Sequence, residues 1–198
     1  MIRLVPAEDI SETEAMNFIN EFIEYNSEIY GCGGLDRYIN NYQGWLTHLR
    51  EAETREVTEE SVPGYTYFLV NENNYPIGIC NIRPYLNETL RRFGGHIGYS
   101  IRPTERGNGY NNINLYLALE ILNTYDVEEA LLDCTVDNLG SNGTIRNLGG
   151  RLLYTDIDPY DNELTNVYSI NINNALNNYT RYNGRGEQYE INRANNRV

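Results

Sequence analysis

The sequence predicts a mixed α/β fold, a sheet with helices on both faces, and three observations carry that expectation. Hydrophobic spacing switches between the helical rhythm and the two-residue rhythm of strands, in the order βααββ, β, α, β, α, ββ. Glycine pairs and Asn-rich turns separate the runs. A chain of 198 residues with 40% hydrophobic content can bury one core without disulfides or metals.

Residues 2–5 read as a short strand that Pro6 breaks. Ser11 and Glu14 have capping-box spacing, and Met16, Ile19, Phe22 and Ile23 continue an amphipathic helix up to the Gly31-Cys32-Gly33-Gly34 cluster. A second helix is expected from Leu35 to about Arg50. Its stripe of Tyr38, Tyr42 and Trp45 reads as core in the first place and as a pocket lining in the second. The polar stretch from Glu51 to Glu60 is a surface connection. Tyr65 to Val70 and Ile77 to Arg83 form a hairpin across the turn residues Asn71 to Pro76. Another strand, His96 to Arg102, follows Gly94-Gly95. Asn111 to Asn123 is apolar nearly all round and is therefore a mostly buried helix. Ala130 to Thr135 is a strand, Ser141 to Leu148 a short helix, and Arg151 to Ile157 with Val167 to Ile172 the closing strands. A single domain is expected over residues 1–172, with a loosely packed Asn/Arg/Tyr-rich tail over 173–198.

The formal charge of −13 argues against a nucleic-acid partner, because phosphate neutralisation needs a basic surface. That argument depends on an unusual composition: all 15 basic residues are Arg, none is Lys, and 29 residues are Asn. If about half of those Asn stood for lysine, the net charge would rise to about +1. The functional reading therefore rests on motifs. Cys32, Cys80 and Cys134 form no CxxC pair, which suits reduced thiols and gives no metal site. The start of the chain has no apolar signal region, and no apolar run approaches the ~20 residues that span a bilayer. A cytoplasmic protein without a membrane partner is expected.

The strand from His96 leads through Pro103-Thr104-Glu105 into Arg106-Gly107-Asn108-Gly109-Tyr110-Asn111, and the buried helix starts there. A glycine-rich turn that opens a helix points unpaired amides and the positive end of the helix dipole at one spot, which suits phosphate or pyrophosphate. The segment resembles the Arg/Gln-x-x-Gly-x-Gly/Ala signature of the GNAT acyltransferases, with Asn111 where that family prefers Gly or Ala. Residues 94–107 as a unit, Asp137-Asn138 with Ser141, and Asn147-Leu-Gly-Gly150 resemble further segments of the same family.

The resemblance implies an acetyl-CoA-dependent N-acetyltransferase that acts on a primary amine of a small molecule or peptide, with a homodimer as a further expectation. It implies a mostly antiparallel central sheet whose fourth and fifth strands are parallel and splayed. The pantetheine arm would pair with the main chain of Tyr99, Ser100 and Ile101. The pyrophosphate would sit on the amides of Arg106 to Asn111, and Asn138 and Ser141 would lie along the arm. His96, ten residues before Arg106, stands where relatives carry the general base. Many relatives have a tyrosine, the acid for the leaving thiolate, where this chain has Ile145, so Tyr154 or solvent is left for that task. A nucleophilic role for Cys134 is the minor alternative to packing. The rival from another class is a catalytically silent acyl-CoA-binding module.

Overall fold

A computed structural model describes residues 1–184. The chain runs β1 (Arg3–Pro6), α1 (Glu12–Glu24), α2 (Tyr42–Glu53), β2 (Tyr65–Val70), β3 (Pro76–Ile82), α3 (Glu88–Arg92), β4 (Ile97–Ile101), α4 (Tyr110–Asn123), β5 (Glu129–Thr135), α5 (Leu139–Asn147), β6 (Arg151–Ile157), β7 (Leu164–Asn171) and α6 (Ile172–Asn178). The predicted mixed α/β architecture is present. Its strands form two antiparallel ladders, β1-β2-β3-β4 and β5-β7-β6.

The ladders meet where the backbone N–H of His96 donates to the Leu131 carbonyl at 2.7 Å, and the Leu131 N–H donates to His96 Nδ1 at 2.9 Å. Gly95, with φ +54°, permits this approach, since a Cβ there would collide with the Leu131 carbonyl. From this junction both strands lead into a cleft, lined by Ile97 to Ile101 on one side and Asp133 to Thr135 on the other.

Burial follows the hydrophobic periods. Phe18, Ile19 and Phe22 of α1 and Trp45 and Leu49 of α2 pack with Phe68 and Ile79 on one face. Leu115, Leu119 and Leu122 of α4 pack on the other with Ile82, Ile97, Leu132 and Tyr168. Ser11 Oγ caps α1 by accepting from the Glu14 N–H at 3.3 Å, as its spacing predicts. The expected helix from Leu35 is instead a 3-10 turn at Leu35–Arg37, then α2 from Tyr42. Asn41 sets that later start, its side chain accepting from the Gly44 N–H at 3.0 Å.

The stretch expected as a tail begins with α6, which Asn171 caps and whose Ile172 and Ala175 are buried against α4. Tyr116 Oη donates to the Leu176 carbonyl at 3.0 Å, and the Ile2 N–H donates to the Gly184 carbonyl at 3.0 Å. Residues 173–184 are thus docked, and the remaining part of the expected tail lies outside the described residues. Among the described residues no helix is long and apolar enough to cross a membrane.

Candidate active site

The cleft between the two ladders has a volume of about 1660 Å³. One wall is the turn from β4 into α4. Gly107 (φ +79°) and Gly109 (φ +77°) take left-handed conformations that β-carbon-bearing residues resist, and a Cβ on Gly107 would meet nothing within 4 Å. The turn therefore presents open backbone beneath the positive end of a 14-residue helix, the arrangement an oxyanion or phosphate needs.

Side chains around the turn brace it. Arg106 Nε donates to the Ile101 carbonyl at 3.1 Å and Nη2 to Ser27 Oγ at 2.8 Å, with the guanidinium 5.5 Å from the Phe22 ring. Asn108 Nδ2 donates to the Glu105 carbonyl at 3.1 Å. Asn111 Nδ2 donates to Thr144 Oγ1 at 3.3 Å and so ties α4 to α5. Asn138 caps α5, accepting from the Ser141 N–H at 2.9 Å. Ser141 Oγ lies 2.7 Å from Tyr99 Oη, a hydroxyl pair in the cleft wall. Burial pushes the Tyr99 phenol up, so it keeps its proton.

Of the residues the sequence pointed to, Tyr99, Ser100, Ile101, Arg106, Gly107, Gly109, Tyr110, Asn111, Asn138 and Ser141 all line this one cleft. His96 and Asn108 are not among its lining residues. His96 is 7% exposed and sits in the junction of the ladders. Its Nδ1 accepts from the Leu131 N–H, so the neutral ring carries its own proton on Nε2 and has no spare lone pair. Burial, with Arg83 and Arg91 nearby, pulls its pKa down to about 4.

Ile145 is fully buried in the core. Tyr154 Oη donates to the Arg92 carbonyl at 2.7 Å, outside the cleft lining. Burial raises the Cys134 thiol to about 11, which leaves little thiolate near neutrality. The aromatic stripe of α2 is core at Tyr42 and Trp45, and Trp45 Nε1 donates to the Gly33 carbonyl at 3.0 Å, fixing the loop that closes the cleft.

No sequence motif marks that loop as part of a site. Gly31 (φ +67°) lies so close to β4 that a Cβ would collide with the Gly98 carbonyl, and the Tyr30 N–H donates to Ser100 Oγ at 2.7 Å. The loop thereby crosses the face of β4 opposite Tyr99. Arg83 and Asp133 lie outside every motif and are both in the cleft lining. Asp133 Oδ2 accepts from the Gly94 N–H at 2.6 Å, and Arg83 Nη2 donates to the Gly94 carbonyl at 2.6 Å. Burial raises the Asp133 pKa, and the Gly94 N–H and Arg83 partly oppose that rise. Strand alternation from Cys134, which packs on the core, was the available signal for Asp133.

The sequence matches the family model described as an acetyltransferase (GNAT) domain over residues 11–151. The chain belongs to the GNAT acetyltransferase family. It is accordingly an N-acetyltransferase with acetyl-CoA as its acyl donor. Solved structures share the fold at low identity. One is RimJ of Mycobacterium smegmatis in complex with CoA-disulfide, with 14% identity, coverage of 86% of this chain and 81% of that one, and a TM-score of 0.63. The spermidine N-acetyltransferase of Vibrio cholerae in complex with CoA and spermine has 12% identity, coverage of 88% and 98%, and a TM-score of 0.58. A dodecameric structure of the same Vibrio enzyme gives 13%, 90% and 97%, and 0.60. No curated protein sequence matches the chain.

The residues present fit the donor. Open backbone at Gly107 and Gly109 suits its pyrophosphate, and the gap between β4 and β5 leaves the main chain of Tyr99 to Ile101 facing the cleft.

Proposed function

We propose that this GNAT enzyme transfers the acetyl group directly to a primary amine of a small molecule or peptide, with Asp133 as the general base. The observation that carries this reading is the Asp133 carboxylate, set in the cleft wall by the Gly94 N–H with its pKa raised by burial. His96 was the sequence expectation for that role; its bonded Nδ1 leaves it to hold the ladders together.

In this reading Arg106 to Asn111 hold the pyrophosphate, and Tyr99, Ser100 and Ile101 offer main-chain groups to the pantetheine arm. Asn138 holds Ser141 in place by capping α5. Acetyl-CoA supplies the acyl carbon, whose C–S bond breaks as its C–N bond to the acceptor forms. Asp133 takes a proton from the acceptor ammonium, so that the nitrogen lone pair is available. Ser141, backed by Tyr99, gives a hydrogen bond to the departing sulfur, which takes its proton from solvent, while the nitrogen releases its surplus proton and Asp133 returns its own to solvent.

Asp133→Asn tests the assignment, because the amide oxygen can still accept from Gly94. The expected result is a fall in kcat of ~10²-fold or more, with acetyl-CoA affinity in calorimetry unchanged. A kcat within a few-fold of wild type overturns Asp133 as the base.

We also propose that the protein self-associates through β6, the edge of its ladder, where Leu152, Leu153, Tyr154 and Ile157 are all exposed. Sedimentation should show an oligomer, and a Leu153→Glu variant a monomer. The three free cysteines support a reducing compartment, and we place the enzyme in the cytoplasm.

A further inference from the structure

We infer that the acceptor is a free α-amino acid, its carboxylate bound by Arg83 and its amine received by Asp133; this specificity rests on the acetyl-transfer reading above. Three observations support it. Arg83 follows β3 directly and lines the cleft, yet none of the ion pairs among the described residues involves it. Its Nη2 is engaged by the Gly94 carbonyl, while Nε is buried and has no hydrogen-bond partner. A partly buried guanidinium with a donor unspent and no ion pair suits an anion, and a carboxylate matches its forked geometry.

The second observation is the spacing. Asp133 and Arg83 are both fastened to Gly94, one through its N–H and the other through its carbonyl. These opposite charges sense each other but form no direct ion pair, and both residues line the cleft. An α-amino acid carries its ammonium and carboxylate on one carbon with the opposite polarity, so each end has a complement on this wall.

The third is the space around the pair. Gly98 puts no side chain over Arg83, and a Cβ there would lie 3.9 Å from Nη2 and only 3.3 Å from the Gly31 backbone. Gly98 thereby leaves the guanidinium without a side chain over it, and the close seat of Gly31 on Gly98 fixes the loop beside it. An acceptor lacking a carboxylate would leave Arg83 without an ion-pair partner, and a polyamine would bring a second positive charge toward it.

The test is a thiol-release assay with acetyl-CoA on the wild-type protein and Arg83→Gln, using the twenty amino acids, their carboxamides and spermidine. The best amino acid should exceed its own carboxamide and spermidine at least tenfold in kcat/KM. Arg83→Gln, which keeps a polar side chain but no charge, should raise the KM for that amino acid at least tenfold and erase the preference over the carboxamide. Calorimetry of acetyl-CoA with the variant checks that the cleft is folded; should it not be, the wild-type preference decides. Equal or better use of a carboxamide or of spermidine by the wild type overturns the amino-acid assignment and leaves acetyl transfer standing. Absence of thiol release with every amine overturns the transfer reading itself, and the specificity with it.

Discussion

Arg83 and Asp133 grip one residue from its two ends: the guanidinium donates to the Gly94 carbonyl, and the carboxylate accepts from the Gly94 N–H, each at 2.6 Å. The two charges are thereby placed by backbone geometry rather than by a direct ion pair. Gly94 has φ +96°, and a Cβ would lie 2.8 Å from Leu90 Cδ2. Gly94→Ala should therefore shift both side chains at once. Steady-state kinetics should show kcat falling and the acceptor KM rising, while acetyl-CoA, assigned by the proposed reading to the Arg106–Asn111 turn, keeps its affinity. A substitution that left both constants unchanged would break the link between Gly94 and the site.

His96 makes the stability of the fold depend on pH. Its folded pKa of about 4 lies below the ordinary value of 6.5, so the unfolded chain takes up the proton more readily. Stability is then complete above about pH 6.5 and falls as pH drops toward 4, by on the order of 3 kcal/mol. His96→Gln should flatten thermal unfolding across that window. An identical acid slope in wild type and variant would place the titration elsewhere.

The loop that closes the cleft depends on a missing side chain. Gly31→Ala would combine a left-handed φ with a collision against the Gly98 carbonyl. Destabilisation on the order of 1–3 kcal/mol is expected in denaturant titration. Turnover should fall further than stability alone explains, because Ser100 and β4 anchor the same loop. Wild-type stability and turnover would show that the approach of Gly31 to Gly98 is not needed.

Glu21 joins α1 to the connection between β4 and α4. It forms an ion pair of 2.9 Å with Arg102, whose side chain is 4% exposed, and accepts from both the N–H and Oγ1 of Thr104 at 2.8 and 2.7 Å. Arg102 also lies 4.5 Å from the Tyr75 ring centroid and 5.5 Å from that of Phe18. Glu21→Ala strands a buried cation, for which about 3–5 kcal/mol of destabilisation is expected. A loss under 1 kcal/mol would mean that the rings and the Pro76 carbonyl suffice for Arg102.

Much of this was legible in the sequence because local chemistry and fold agreed. Ser11 signalled the start of α1, and the period of Asn111 to Asn123 marked a buried helix. The Gly107 and Gly109 spacing gave one wall of the cleft. The other wall came from contacts distant in sequence, such as Gly31 with Gly98 and Arg83 with Gly94 and Asp133, which no local period encodes. His96 had the right position along the strand for a base, but its ring is bonded to Leu131, a partner 35 residues away. α6 was hidden because the polar Asn173, Asn174, Asn177 and Asn178 outnumber the Ile172, Ala175 and Leu176 that pack against the core.

The most direct measurement of the central claim is thiol release from acetyl-CoA by the purified protein, with and without amines, beside Gly109→Trp. Gly109 has φ +77° and stands at the start of α4, so a bulky side chain strains the turn and fills the cradle. Release that depends on an amine, together with loss of both release and calorimetric acetyl-CoA binding in the variant, is the expected result. Wild-type acetyl-CoA binding by Gly109→Trp, or no amine-dependent release from the wild-type protein, would contradict it.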